Sequence, residues 1–299
     1  MFRLLLTLFI LLPGMLHAQH HDRQPAYLLQ VPDSVPVIFV AETDTASLHR
    51  FTARATSGFS RDERYMSIGQ HGVGKQQAWD RRTPLGIYFV NEQLDTSGLP
   101  EKYGPRAFPL DYPNVWDRAK GRGGDGIWIH GVIPDAGRRP PLDTDGCIAL
   151  PNEELLALEN QFVALTTPVI ITRAIDWVSA EQLAATREEL GGALQSWLVS
   201  SRDGDLHRHL SLYADDFHYR GMQRSEWEYF RVQSIEQAPV RDIVISDVLL
   251  LQDPEEQGLY LSRFRQTVVA DERKIETIKR LYWRRDDNGV LRIVAEDNG

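Results

Sequence analysis

Strand-like runs fill the first half of this 299-residue chain, and helical periodicity takes over only after Ile175. A half-buried strand repeats its apolar face every second residue and a helix about every 3.6, so one layer arrangement does not serve both halves. "VPVIFVAET" (Val35–Thr43) and "LGIYFVNEQ" (Leu85–Gln93) are β-branched and aromatic runs, the second bounded by Thr83-Pro84 and Ser97-Gly98. "GIWIHG" (Gly126–Gly131) reads as a short strand and "TTPVIIT" (Thr166–Thr172) as the closing one. Two helices are expected among them. "PNVWDRAKGRGG" holds a short one closed by Gly121, and "PNEELLALENQF" a second one capped by Asn152, with Leu155, Leu158 and Phe162 on one face.

Beyond Ile175, "SAEQLAATREELGGALQSWLVSSRDGD" opens with a capping box between Ser179 and Gln182, and Gly191-Gly192 is expected to break it into two helices. Long strands follow, "RDIVISDVLLLQD", "GLYLSRFRQTVVAD" and "TIKRLYWRRDDNGVLRIVAED", the last turning at Asp287-Asn288-Gly289. Helices followed by a strand meander indicate an α+β unit with helices on one face of an antiparallel sheet. The expected organisation is a leader over 1–18, a mainly-β unit over 27–175 and an α+β unit over 179–298.

The opening "MFRLLLTLFILLPGMLHAQ" has the layout of a secretory signal peptide: Arg3, the apolar run Leu4–Leu12, a break at Pro13-Gly14, and Ala18 for cleavage. The run is short for a membrane span, so no span is expected after its removal, and no cysteine follows for lipid attachment. A formal charge of −9 without a basic block argues against nucleic acid as a partner. Export changes the reading of Cys147, the one cysteine. A leftover thiol in a secreted chain is an intermolecular link, a reactive group, or an inert buried hydrophobe.

Nucleophilic thiol chemistry needs a base and donors for an oxyanion. Cys147 follows Asp145-Gly146 just ahead of a helix start, where Gly146 permits a sharp turn and a helix N-terminus lowers a thiol pKa. His130 is the candidate base: in "IWIH", Ile127 and Ile129 face one side and Trp128 and His130 the other. Among the other histidines, His17 falls in the leader, His20 and His21 at the mature terminus, His71 in a Gly-rich turn, and His207, His209 and His218 in the second unit.

"IHG" followed downstream by "TDGC" resembles the YkuD-type L,D-transpeptidase catalytic domain, whose signature is His-Gly, a variable loop, then Ser/Thr-His-Gly-Cys. "GVGKQQAWDRRTPLGIYFV" and "YPNVWDRAKGRGG" resemble its upstream segments, so the likeness spans roughly Val35 to Thr172. It implies a β-rich sandwich with a flanking helix, no metal or cofactor, and peptidoglycan stem peptides as partner in the periplasm or cell envelope. Cys147 would be the nucleophile, His130 its base, Thr144 an aid to the thiol or oxyanion, and Gly146 and Gly131 the glycines of the two turns. Arg106 and Arg122 are the candidates for substrate carboxylates. Asp145 stands where the family usually has histidine; it would orient His130 or pair with Arg138 or Arg139. Ala149 replaces the family's usual arginine or asparagine, which puts substrate contacts there in doubt.

The mechanism so implied is a thioester at Cys147 with the third stem residue, loss of the terminal D-alanine, and transfer to an amine as a 3→3 cross-link. Thiol acylation by carbapenems is implied with it. Two readings stand beside it: hydrolysis of the same kind of bond, as an L,D-carboxypeptidase or amidase, and an inactive murein-binding scaffold. The second unit resembles the nuclear transport factor 2-like cone, with Trp197, Tyr213, Phe217 and Trp227 as core residues. Architecture alone offers it an envelope protein or a second copy of the chain as partner. "GQHGVGKQ" fails as a phosphate loop because Gln76 replaces the required hydroxyl, and His207 and His209 would face apart on a helix.

Overall fold

The computed structural model describes residues 23–54, 58–237, 242–270 and 273–299. The expected leader over 1–18 lies outside the described residues. Within them, a five-stranded sheet runs in the order Phe59–Tyr65, Ser47–Ala53, Val37–Glu42, Pro168–Thr172, Gly86–Phe89. Only the central pair, Val37–Glu42 with Pro168–Thr172, is parallel. Its strands read as continuous apolar runs because both faces are covered. Phe39, Ala41, Tyr88, Val169 and Ile171 pack inward with Phe108, Ile129, Ile148, Leu155 and Phe162. The alternate residues Ile38, Val40, Ile87, Phe89 and Ile170 pack the other way, against Leu249, Leu251, Leu261 and Tyr282 of the second unit.

That second unit is a seven-stranded sheet, and the expected hairpin at Asp287-Asn288-Gly289 joins Arg273–Arg285 to Leu291–Asn298, with Gly289 at φ 78°. Its last strand is Leu28–Gln30, which pairs with Asp242–Gln252, while Arg23–Pro25 pairs with Trp177–Ser179. Leu28–Gln30, ahead of the first unit's Val37–Glu42, thus adds an edge strand to the sheet of the C-terminal unit. Arg280 reinforces the junction by pairing with Asp297 of its own sheet and Asp111 of the first unit.

The helix Ala180–Asp203 begins at the expected capping box, with Ser179 accepting from Gln182 N. It does not break at Gly191-Gly192. Leu183, Leu190, Leu194 and Trp197 bury one continuous face on the sheet, which outweighs about 1 kcal/mol of helix propensity lost per glycine. The expected core aromatics Trp197, Tyr213, Phe217 and Trp227 are all buried. Among the described residues no helix is long and apolar enough to cross a membrane.

Candidate active site

Two short parallel strands, Trp128–His130 and Ile148–Ala149, bring Cys147, just ahead of the second, beside the strand that ends in His130. Ile148 stands opposite Ile129 and Ala149 opposite His130, so Cys147 stands opposite Trp128. Ile129 and Ile148 are both fully buried in the core. Alternation therefore puts Cys147, Trp128 and His130 on the other face, with His130 two residues farther along, about 6.6 Å of strand.

Cys147 is 8% exposed. Its Sγ accepts from Trp128 N at 3.4 Å and donates to Gly126 O at 3.3 Å. Among the described residues no hydrogen bond joins the sulfur to His130. His130 is buried, with Nδ1 2.6 Å from Gly131 O. A carbonyl only accepts, so Nδ1 carries the proton and Nε2 is the basic nitrogen. The Tyr103 ring meets the imidazole edge-on at 5.1 Å and Trp128 at 4.8 Å, walling one side.

The expected depression of the thiol pKa is corrected. Burial pushes the thiol up to about 11, against smaller lowering effects of the Trp128 amide and Lys102. Burial also holds the imidazole down to about 4. At neutral pH the pair is thus thiol and neutral imidazole, not an ion pair.

The turn before the cysteine is built by Thr144, whose Oγ1 donates to Cys147 O at 2.7 Å and accepts from Gly146 N at 3.1 Å. Its hydroxyl bonds within that turn and not to the sulfur. Gly146 has φ 125°, and a Cβ there would stand 2.7 Å from Arg82 O. Gly146 O in turn accepts from the fully buried Thr83 Oγ1 at 2.9 Å.

Gly131 is needed for close approach, since a Cβ would meet Asn152 Oδ1 at 2.4 Å. Its amide is taken by Tyr103 O and Arg106 O. Asn152 does not cap its helix, whose N-cap is Pro151. It clamps the chain beyond His130 instead, bonding Val132 N and O at 2.8 and 3.0 Å.

Asp145 neither orients His130 nor meets Arg138 or Arg139. Its carboxylate is exposed and faces Lys102 at 3.4 Å and Arg81 at 3.8 Å. Arg139 pairs with Asp143 and Arg138 lies over the Tyr65 ring. The two candidate substrate arginines also have internal partners: Arg106 pairs with Glu159 at 2.7 Å and Arg122 with buried Asp117 at 3.2 Å. Arg122 lines a cavity of about 330 Å³ at the junction of the two units, with Lys75, Trp116, Asp253 and Glu256.

Trp128, Gly126, Tyr103, Lys102 and Asn152 make contacts around the thiol, the imidazole and Asp145 that residue types alone did not mark. Trp128 had one usable signal, its alternation onto the face of His130. Among the described residues no group of three or more His, Cys, Asp or Glu side chains is placed to hold a metal.

The pattern of the YkuD family, described as an L,D-transpeptidase catalytic domain, matches residues 43–171. That of the Cds6 C-terminal NTF2-like domain matches residues 189–297. No curated protein sequence matches the chain. Among solved structures, Bd1075 of Bdellovibrio bacteriovorus is similar at 22% identity and TM-score 0.75, covering 93% of this chain and 98% of its own. The helical cell shape determining protein Pgp2 of Campylobacter jejuni is similar at 24% identity and TM-score 0.71, covering 87% and 91%. At these identities the likeness concerns the fold, which both share across the two units. Residues 43–171, with the thiol and imidazole described above, belong to the YkuD family of L,D-transpeptidase catalytic domains, joined in this chain to a Cds6-type NTF2-like domain.

Proposed function

We propose that the protein is a cysteine acyltransferase of the bacterial envelope, acting on peptidoglycan stem peptides. One observation carries this: thiol and imidazole share a face of adjacent parallel strands, with Nε2 the basic ring nitrogen. The Cys147 proton passes to His130 Nε2 as Sγ attacks the carbonyl of the third stem residue. The C–N bond to the terminal D-alanine breaks, and the imidazolium returns the proton to the departing amine. A thioester remains, and an amine of a neighbouring stem cleaves it to give a 3→3 cross-link.

A second reading has water as the acceptor, giving a trimmed stem. The charge at the mouth favours it, since Lys102 and Arg81 flank a single carboxylate, Asp145, and repel an approaching ammonium more than water.

The muropeptide profile of cells producing the wild type or Cys147→Ala tests both. New 3→3 dimers dependent on Cys147 support transpeptidation, and trimmed monomers support hydrolysis. Intact mass after carbapenem treatment separates either from an inactive scaffold: an adduct lost in Cys147→Ala is expected, and its absence on the wild type would leave only binding.

A further inference from the structure

We propose that Trp79 is a stacking platform for a sugar ring of the murein glycan, placed beside the groove that takes the stem peptide; this rests on the stem-peptide reading above. Trp79 is 93% exposed, whereas Trp197, Trp227 and Trp283 are almost wholly buried. Among the described residues no aromatic ring or cation packs on it. An indole left bare forgoes the burial that most tryptophans obtain.

The segment that presents it is not a slack loop tip. Trp79 has φ 64° and Arg81 φ 56°, left-handed conformations that bulky L-residues avoid. Asp80 between them holds the strain in place. Its Oδ1 accepts from Lys75 Nζ at 2.9 Å and Arg82 N at 3.1 Å, and its Oδ2 from Gln76 N at 2.8 Å and Gln77 N at 3.1 Å. The His71 ring bonds Asp80 O at 2.9 Å. Backbone strain held by this many bonds to display an apolar side chain in water is a pattern of binding sites.

Its position lies within the substrate's reach. Arg82 O lies against Gly146, next to the nucleophile, and Ala78 lies against Gly124, two residues before the carbonyl that accepts the thiol. From Trp79 to Arg82 the chain spans at most about 11 Å. A stem peptide attacked at its third residue is joined to its sugar three residues away, also about 10–11 Å when extended. The weakly positive C–H bonds of a pyranose face suit the negative π-face of indole. The exposed Gln76, Gln77 and Arg81, its neighbours in sequence, carry groups suited to hydroxyl and N-acetyl oxygens, where a membrane or protein contact would want contiguous apolar surface.

Calorimetry on full-length Cys147→Ala protein, which leaves ligands uncleaved, tests this with three probes: a disaccharide–tetrapeptide, the free tetrapeptide, and peptide-free glycan strands. Adding Trp79→Ala is expected to weaken both glycan-bearing probes about tenfold and leave the tetrapeptide unchanged, with Trp79→Phe recovering most of the loss. Equal affinities with and without Trp79, or an equal loss on the free tetrapeptide, would overturn it. Sedimentation with phosphatidylglycerol vesicles that needs Trp79, without Trp79-dependent glycan binding, would assign the ring to a membrane and also overturn it. Tetrapeptide that fails to bind while glycan binding still needs Trp79 would remove the stem-peptide reading and support the platform.

Discussion

His130 Nδ1 lies 2.6 Å from the carbonyl oxygen of Gly131, the residue that follows it, so the backbone itself selects the tautomer that leaves Nε2 basic. No carboxylate is needed to orient the ring, and Asp145 is engaged elsewhere.

The pH dependence of kcat/KM should carry an acid limb near the folded pKa of His130. The ring accepts a proton only while neutral, and burial holds it at about 4, with the thiol at about 11. Activity is thus lost as pH falls through about 4 and is level across neutrality. Stability follows the same ring. Unfolded, it binds a proton below about 6.5, and folded only below about 4, so its contribution is complete above 6.5 and declines as pH drops toward 4. A limb at the ordinary histidine value would mean an exposed imidazole.

Cys147 should alkylate slowly. Raising its pKa from 9.0 to about 11 reduces the thiolate fraction near neutrality, and iodoacetamide should react about 100-fold more slowly with native than with unfolded protein. Asp145→Asn removes a charge that raises the thiol pKa, so alkylation should quicken a few-fold. The acid limb at His130 should stay in place in this variant. A shifted limb would return Asp145 to the ring.

Thr144→Val should cost about 1–3 kcal/mol of stability, because the Gly146 amide and the Cys147 carbonyl both lose a buried partner. The turn then no longer fixes the sulfur, and kcat should fall with Tm. Thr144→Ser keeps the hydroxyl and should keep most of both. Thermal melts and turnover of the three proteins check this, and a Thr144→Val enzyme with native Tm and kcat would refute it.

Arg280→Met should destabilise the whole chain by about 3–5 kcal/mol, since it strands Asp111 and Asp297 without their shared cation at the junction of the two units. Adding Asp111→Asn should restore part of the loss. Denaturant unfolding of the single and double variants measures it, and a double variant worse than the sum of the singles would contradict the pairing.

Local periodicity made the centre of the site legible. Ile127, Ile129 and Ile148 alternate with Trp128, His130 and Cys147, and alternation on a pleated strand decides which side chains enter the core and which face the groove. The Ser179–Gln182 cap and the turn at Asp287-Asn288-Gly289 were legible for the same reason, being complete within a few residues. Tertiary structure alone decided the rest. Asp145 takes Lys102, Asn152 clamps Val132, Leu28–Gln30 joins the far sheet, and the helix runs through Gly191-Gly192. The directions of the thiol and imidazole pKa values belong with these, because burial sets both. Which distant segments pack against a residue settles its partners, its dielectric surroundings and the worth of its propensity, and sequence neighbours carry no record of that packing.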